Sequence, residues 1–216
     1  MSILPIYVIF IVISLVVSFR VYRQPDSELY LKLFPPYLCL CVFVEIIGIY
    51  LYNQGGENYL PYNIFGIIEF AFFLFVLSEV VQQKRAKKII RIVLFLNVLA
   101  SIINMFFFQK KTYASQSYSL GSLLIVAFCI YYFFELFRYP KFIKLINEPS
   151  FWICSGLLFY FCCSFPLLGL TTMLSNIPKS LINNAYILLN TMNCLLYTLF
   201  IIAFLCRNKT VSSTSS

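Results

Sequence analysis

The chain has 216 residues, of which 61% are hydrophobic and only 11% charged, with a mean hydropathy of +0.87 and a formal net charge of +8. A soluble domain carries about 25% charged residues, so this composition excludes a soluble globular protein and points to a chain that crosses a membrane several times. The positive charge does not indicate nucleic acid, because the lysines and arginines lie in short loops between apolar runs, where membrane topology accounts for them.

The first apolar run, MSILPIYVIFIVISLVVSF, lacks a basic leading segment and a small-residue cleavage site. It reads as a retained first span, not a removed signal peptide. At 1.5 Å rise per residue a span needs about 20 apolar residues. On that measure the spans fall at about 3–22, 32–52, 61–82, 89–108, 116–138, 151–173 and 182–206. They form one transmembrane domain over 1–206, followed by a short polar tail, 207–216. The breaks RQPDSE, NQGGEN, QQKRAKK, QKKTYAS, RYPKFIKLINEPS and SNIPKS carry turn residues or charge. The expected fold class is therefore all-α, a polytopic bundle of seven transmembrane helices.

Charge placement sets an expected orientation. Arg20, Arg23 and Lys32 flank the first loop; Lys84, Arg85, Lys87, Lys88 and Arg91 flank the third; Arg138, Lys141 and Lys144 lie in the fifth; Arg207 and Lys209 are in the tail. Lys110, Lys111 and Lys179 are left for the other side. The excess of positive charge marks the inside, which puts the N-terminus out and the C-terminus in. Tyr22, Tyr50, Tyr52, Tyr59, Tyr62, Tyr113, Tyr118 and Trp152 fall near span ends, the depth amphipathic rings prefer.

Taken in chain order, the polar residues within the spans are the informative ones. Glu45 lies in span 2 and Glu69 in span 3, each several residues from the outer end. An acid inside the bilayer costs several kcal/mol unless it pairs, takes a proton or meets water (roughly). Two antiparallel neighbours would bring both acids to one depth, where they are expected to share a proton. Gly48 and Gly66 lie three residues from Glu45 and Glu69, on the same helix faces, so spans 2 and 3 are expected to pack tightly there. Asn63 opens span 3. Span 4 repeats a polar stripe with Asn97, Ser101 and Asn104; span 5 begins with Ser115, Ser119 and Ser122. Span 6 has Tyr160 and Ser164, then Pro166, which is expected to kink it. In span 7, Asn183, Tyr186, Asn190, Asn193 and Tyr197 follow helical spacing and make one continuous stripe. Polar stripes should face the bundle interior and aromatic faces the lipid. Glu79 and Glu135, near the inner ends of spans 3 and 5, are expected to pair with Lys84, Arg85 and Arg138 or to form a docking surface for a partner.

Two readings of these stripes stand side by side. In one, the asparagines and serines are interhelical glue and the glutamates are protonated donors. In the other, Glu45, Glu69, Asn63, Asn97, Asn104, Asn190, Asn193 and Tyr197 line an outward-facing ligand or proton site.

Several chemistries are excluded. There is no histidine, which removes a His-based zinc hydrolase and a Ser-His-Asp triad. The cysteines, Cys39, Cys41, Cys129, Cys154, Cys162, Cys163, Cys194 and Cys206, form no CxxC and fall in or beside apolar segments, so they read as small thiols and not as a metal or disulfide framework. No lysine in span 7 is available for a retinal Schiff base, and there is no Walker A motif. No cofactor and no metal is expected.

The pieces YNIFGIIEF, EPSFWICSGLLFYF and NCLLYTLFIIAFLC resemble small stand-alone seven-span proteins of Bacteroidota, over nearly the whole chain. The resemblance implies a bacterial inner-membrane location and a seven-helix bundle; it carries no catalytic residue to transfer. The expected function is a non-enzymatic membrane protein of sensory or accessory type. It would hold a small ligand, lipid or proton in an outer-half polar cavity and signal through a membrane or cytoplasmic partner. The alternatives are a proton-coupled transporter of a small solute and a lipid-modifying enzyme working with paired carboxylates. The lipid bilayer is the expected surrounding partner, and an exposed stripe on span 7 would point to a homo-oligomer.

Overall fold

A computed structural model describes residues 6–24, 27–56, 59–109, 112–138, 145–173 and 179–206, with side chains left out for 168–173 and 179–182. Lys110, Lys111, Lys141, Lys144, Arg207, Lys209 and the tail lie outside the described residues. Every regular element among the described residues is helical. They are α1 (Ile6–Ser18), extended by a 3₁₀ turn Phe19–Arg23, α2 (Leu29–Lys32), α3 (Phe34–Asn53), α4 (Tyr59–Val80), α5 (Lys84–Ile103), extended by a π-helical turn Asn104–Phe108, α6 (Ser115–Arg138), α7 (Pro149–Met173) and α8 (Lys179–Leu205). Seven of these segments are long and apolar enough to cross a membrane. This is a multi-pass membrane protein, as its composition requires.

Local chemistry explains the boundaries. Pro35 and Pro36 occupy the first turn of α3, where a missing N–H costs nothing. Gly55 ends the same helix at φ 67°, and the Gly56 N–H returns to the Leu51 carbonyl at 3.0 Å while the Gly55 N–H reaches that of Tyr52 at 3.1 Å. That is a Schellman closure, which needs the left-handed conformation glycine tolerates. Pro166 lies inside α7, yet the helix runs on to Met173 without a break. Glu135 of α6 starts α5: its two carboxylate oxygens accept the backbone N–H groups of Gln82 and Gln83, both at 2.8 Å. A neighbouring helix thus supplies the cap that the side chain of Gln83, at the N-cap position, does not.

Six long helices form a ring. α7 packs against α6 and α8, α8 against α1, α1 against α3, and α4 bridges α3 and α6. α5 lies outside this ring, on α4 and more lightly on α6. Only 17% of its most apolar window is buried, against 28–39% in the other spans, which makes it the most lipid-exposed helix. One end of the bundle, here the basic end, carries Lys84–Arg91. Several bonds close it: Arg91 pairs with Glu79 at 2.8 Å, Tyr22 donates to the Lys32 carbonyl at 2.9 Å, and Trp152 and Cys206 both reach the Ile146 carbonyl. Glu79 and Glu135 therefore do not pair as the sequence suggested. Glu79 takes Arg91, about two turns further along α5 than Lys84 and on the same face, and Glu135 takes backbone amides.

The expectation that aromatic faces meet lipid holds for exposed rings such as Phe43, Phe95, Phe134 and Phe159 and is corrected for an inner set. Phe34, Phe70, Phe73, Phe161, Phe200 and Phe204 are the largest fully buried side chains. Phe34 packs edge-on to Phe72, Phe200 and Phe204 with ring centroids 5.0–5.3 Å apart. Lipid tails are as apolar as a protein core, so hydrophobicity does not sort rings outward; edge-to-face packing holds them in. Phe106, Phe107 and Phe108 do face outward.

Candidate functional site

Away from the basic end the interior turns polar. In α3, Tyr37, Cys41 and Glu45 recur every four residues, with Gly48 one turn on, so they share one face. In α4, Tyr62 and Glu69 lie on the face turned toward α3. The Glu45 carboxylate accepts the Tyr7 hydroxyl of α1 at 3.0 Å, and the Tyr62 hydroxyl of α4 lies 3.5 Å away, at the outer limit of a hydrogen bond. Three helices therefore converge on one carboxylate.

Glu69 sits about one turn deeper, level with Cys41, which is roughly 6 Å further along the bundle. The Tyr37 hydroxyl lies beside it, and Tyr113, Tyr118, Tyr160 and Tyr197 are within electrostatic reach. Glu69 is half-buried. No lysine or arginine among the described residues acts on either acid. Tyr118 and Tyr160 bring their hydroxyls to 3.4 Å, Asn193 stands beside Tyr160, and Tyr197 stands beside Cys41. The assembly is a pair of carboxylates set in phenol hydroxyls drawn from α1, α3, α4, α6, α7 and α8.

This arrangement alters three expectations. Glu45 and Glu69 are not at one depth, and no hydrogen bond joins them among the described residues; tyrosines are their partners instead. Spans 2 and 3 do not pack tightly through their glycines. The junction of α3 with α4 is the loosest in the ring, because tyrosine and phenylalanine rings fill it. Gly48 makes room for a side chain, since a Cβ there would stand 2.2 Å from the Tyr62 hydroxyl oxygen, while Gly66 has nothing within 4 Å of where its Cβ would be. Tyr62 and Tyr118, read as interfacial anchors, turn inward.

The asparagines divide. Asn193 and Tyr197 belong to the acid–tyrosine network. Asn190 is half-buried and makes no hydrogen bond among the described residues, and the stripe fades outward through exposed Tyr186 and Asn183. Asn63, Asn97 and Asn104 belong to a second patch between α4, α5 and α6. Asn63 is buried and uses its whole amide on the α5–α6 loop, donating to the Thr112 carbonyl and accepting from the Ala114 N–H, both at 2.9 Å. Asn104 donates to Gln109 and Ser117 at 2.8 Å each. The Asn97 amide nitrogen is buried without a partner. A cavity of about 20 Å³, enough for one water molecule, lies in this patch beside Asn63, Gly66, Ser101 and Tyr118. The hydrogen bonds of Asn63 and Asn104 run to the loop and to α6, while Tyr62, Tyr113 and Tyr118, which also line this cavity, join the patch to the acid–tyrosine network.

The residues missed from sequence are Tyr7, Tyr37, Cys41, Tyr62 and Tyr118 in their inward roles, whereas Tyr160 was expected in an inward stripe of span 6. The signal was present as the four-residue spacing Tyr37–Cys41–Glu45, a polar stripe as regular as that of span 7. No family model matches the chain, and neither a curated protein nor a solved structure matches it.

Proposed function

We propose that this is a non-enzymatic protein of sensory or accessory type, set in a bacterial inner membrane with its N-terminus outside and its C-terminus inside. In this reading the acid–tyrosine network lies in the outer half and registers a proton or a small ligand. The observation that carries it is the Glu45 carboxylate held between Tyr7 of α1 and Tyr62 of α4, with no cation at hand. An ionised carboxylate there costs several kcal/mol (roughly) unless something neutralises it, so the site responds to whatever supplies a positive charge or a proton. Its partners come from every helix of the ring, so a change of charge is felt by α4, α6 and α8 together and passes to the basic end, where a partner protein reads it.

The test is thermal stability in detergent between pH 4 and 9 for wild type, Glu45→Gln and Glu69→Gln. The reading expects the pH response of wild type to flatten in at least one variant. Three superimposable pH profiles would sink it.

A second reading, a proton-coupled transporter of a small solute, is favoured by one observation. Pro166 takes one backbone N–H out of the otherwise continuous α7 two residues after Ser164, whose buried hydroxyl has no partner among the described residues. Helices weakened in mid-span are the usual site of transport movements. Counterflow in proteoliposomes separates the readings, since a receptor shows none.

A further inference from the structure

The first turns of α5 place Lys84, Lys87, Lys88 and Arg91 on one face, and the same face continues with Ile92, Phe95 and Leu96. Together they line an open furrow of about 560 Å³ along the helix. α5 is the helix outside the ring, so this face meets the membrane and not another span.

The charge pattern runs against the helix itself. The N-terminus of a helix is its positive end and favours acids, yet α5 begins KRAKK with no acid in its first turn. Its nearest compensation is partial. Glu135 occupies the backbone amides of Gln82 and Gln83, Arg91 is engaged by the Glu79 carboxylate at 2.8 Å, and Lys87 donates to the Glu79 carbonyl at 3.0 Å. Lys84 and Lys88, one turn apart on the furrow, have no such partner among the described residues and are exposed. Glu135 already offsets the positive helix end, so the two exposed ammonium groups on the furrow are what remains to attract an anion from outside the chain.

Dimensions and chemistry name the anion. Four residues of helix rise about 6 Å, and each headgroup layer of a bilayer is about 5–7 Å deep. Lys84 to Lys88 therefore spans the headgroup layer, and Ile92, Phe95 and Leu96 follow at acyl-chain depth. Phosphate above and hydrocarbon below is the profile of one anionic phospholipid standing alongside the helix.

We infer that this face of α5 is a binding site for an anionic phospholipid, its phosphate held by Lys84 and Lys88 and its acyl chain laid over Ile92, Phe95 and Leu96. Lys87 and Arg91, tied to Glu79, keep the face oriented. The site is separate from the acid–tyrosine network and does not depend on what that network senses.

Native mass spectrometry of the detergent-solubilised chain, titrated with phosphatidylglycerol, phosphatidylcholine or inorganic phosphate, tests it. Wild type is expected to prefer phosphatidylglycerol to phosphatidylcholine. Each lysine near such a surface contributes about five-fold, so Lys84→Gln/Lys88→Gln loses about 25-fold of that preference. Lys84→Arg/Lys88→Arg keeps it, which guards against loss of folding as the cause, and Phe95→Ala/Leu96→Ala weakens long-chain lipid more than a short-chain analogue. Equal binding of the two lipids by wild type, full preference in the double glutamine variant, or complete displacement by inorganic phosphate would each overturn the site.

Discussion

Gly48 and Gly66 look alike in the sequence, each three residues from an acid, and the structure gives them different work. A methyl at Gly48 collides with the Tyr62 hydroxyl at 2.2 Å, so Tyr62 must swing away from Glu45. Gly48→Ala is expected to cost about 1–3 kcal/mol, the range for overpacking a filled site. Gly66→Ala meets open space and gains up to about 1 kcal/mol of helix propensity. Melting temperatures of the two variants in detergent check the contrast; equal losses would contradict it. Glu148, outside the spans at the basic end, gives a pH test. Burial lifts its carboxyl above the ordinary carboxylate range, and the charge on Glu28 adds to that. For an acid raised in the folded state, stability is whole below about pH 4 and declines as pH climbs through the shifted value. Glu148→Gln should therefore melt higher than wild type at neutral pH, with the gain gone near pH 4, and a gain independent of pH would count against this assignment.

At the scale of elements, helices are joined at their ends by carboxylates and amides, not by lysine–glutamate pairs. Glu135 fixes the start of α5 through two N–H groups, and Asn63 fixes the loop before α6 through Thr112 and Ala114. Glu135→Gln leaves one oxygen where two ionised ones accepted, and hydrogen bonds to charged groups contribute about 1.5–3 kcal/mol each. Amide exchange at Gln82 and Gln83 is expected to accelerate in this variant more than at Lys87, whose N–H is bonded within its own helix to Gln83. Uniform acceleration along α5 would mean that the cap is not local. Sequence could place α5 among the spans but not outside the ring, since every span is apolar enough to be central or peripheral. Its polar stripe, Asn97–Ser101–Asn104, pointed correctly to a buried face, and the structure adds which one: the face toward α4 and α6.

For the whole molecule, seven membrane-crossing helices were legible because apolar runs of about 20 residues have few other uses. The site was legible in its acids and in the inward stripes that carry Tyr160, Asn193 and Tyr197. Glu45 and Glu69 stand out in an apolar run, whereas a tyrosine is equally at home in a core and at an interface, so Tyr7, Tyr37 and Tyr118 could not be assigned to either by type. Their hydroxyls now explain how two acids persist without a lysine, arginine or histidine beside them. The central claim is that charge at this network is communicated along the ring to the basic end. Trp152, the one tryptophan of the chain, stands at that end with its indole N–H on the Ile146 carbonyl at 2.8 Å. Its emission in reconstituted vesicles, recorded as the pH facing the network is stepped from 7 to 5, is the most direct measurement. The account predicts a shift in wild type that disappears in Glu45→Gln/Glu69→Gln, and an identical shift in both, or none in wild type, would contradict it.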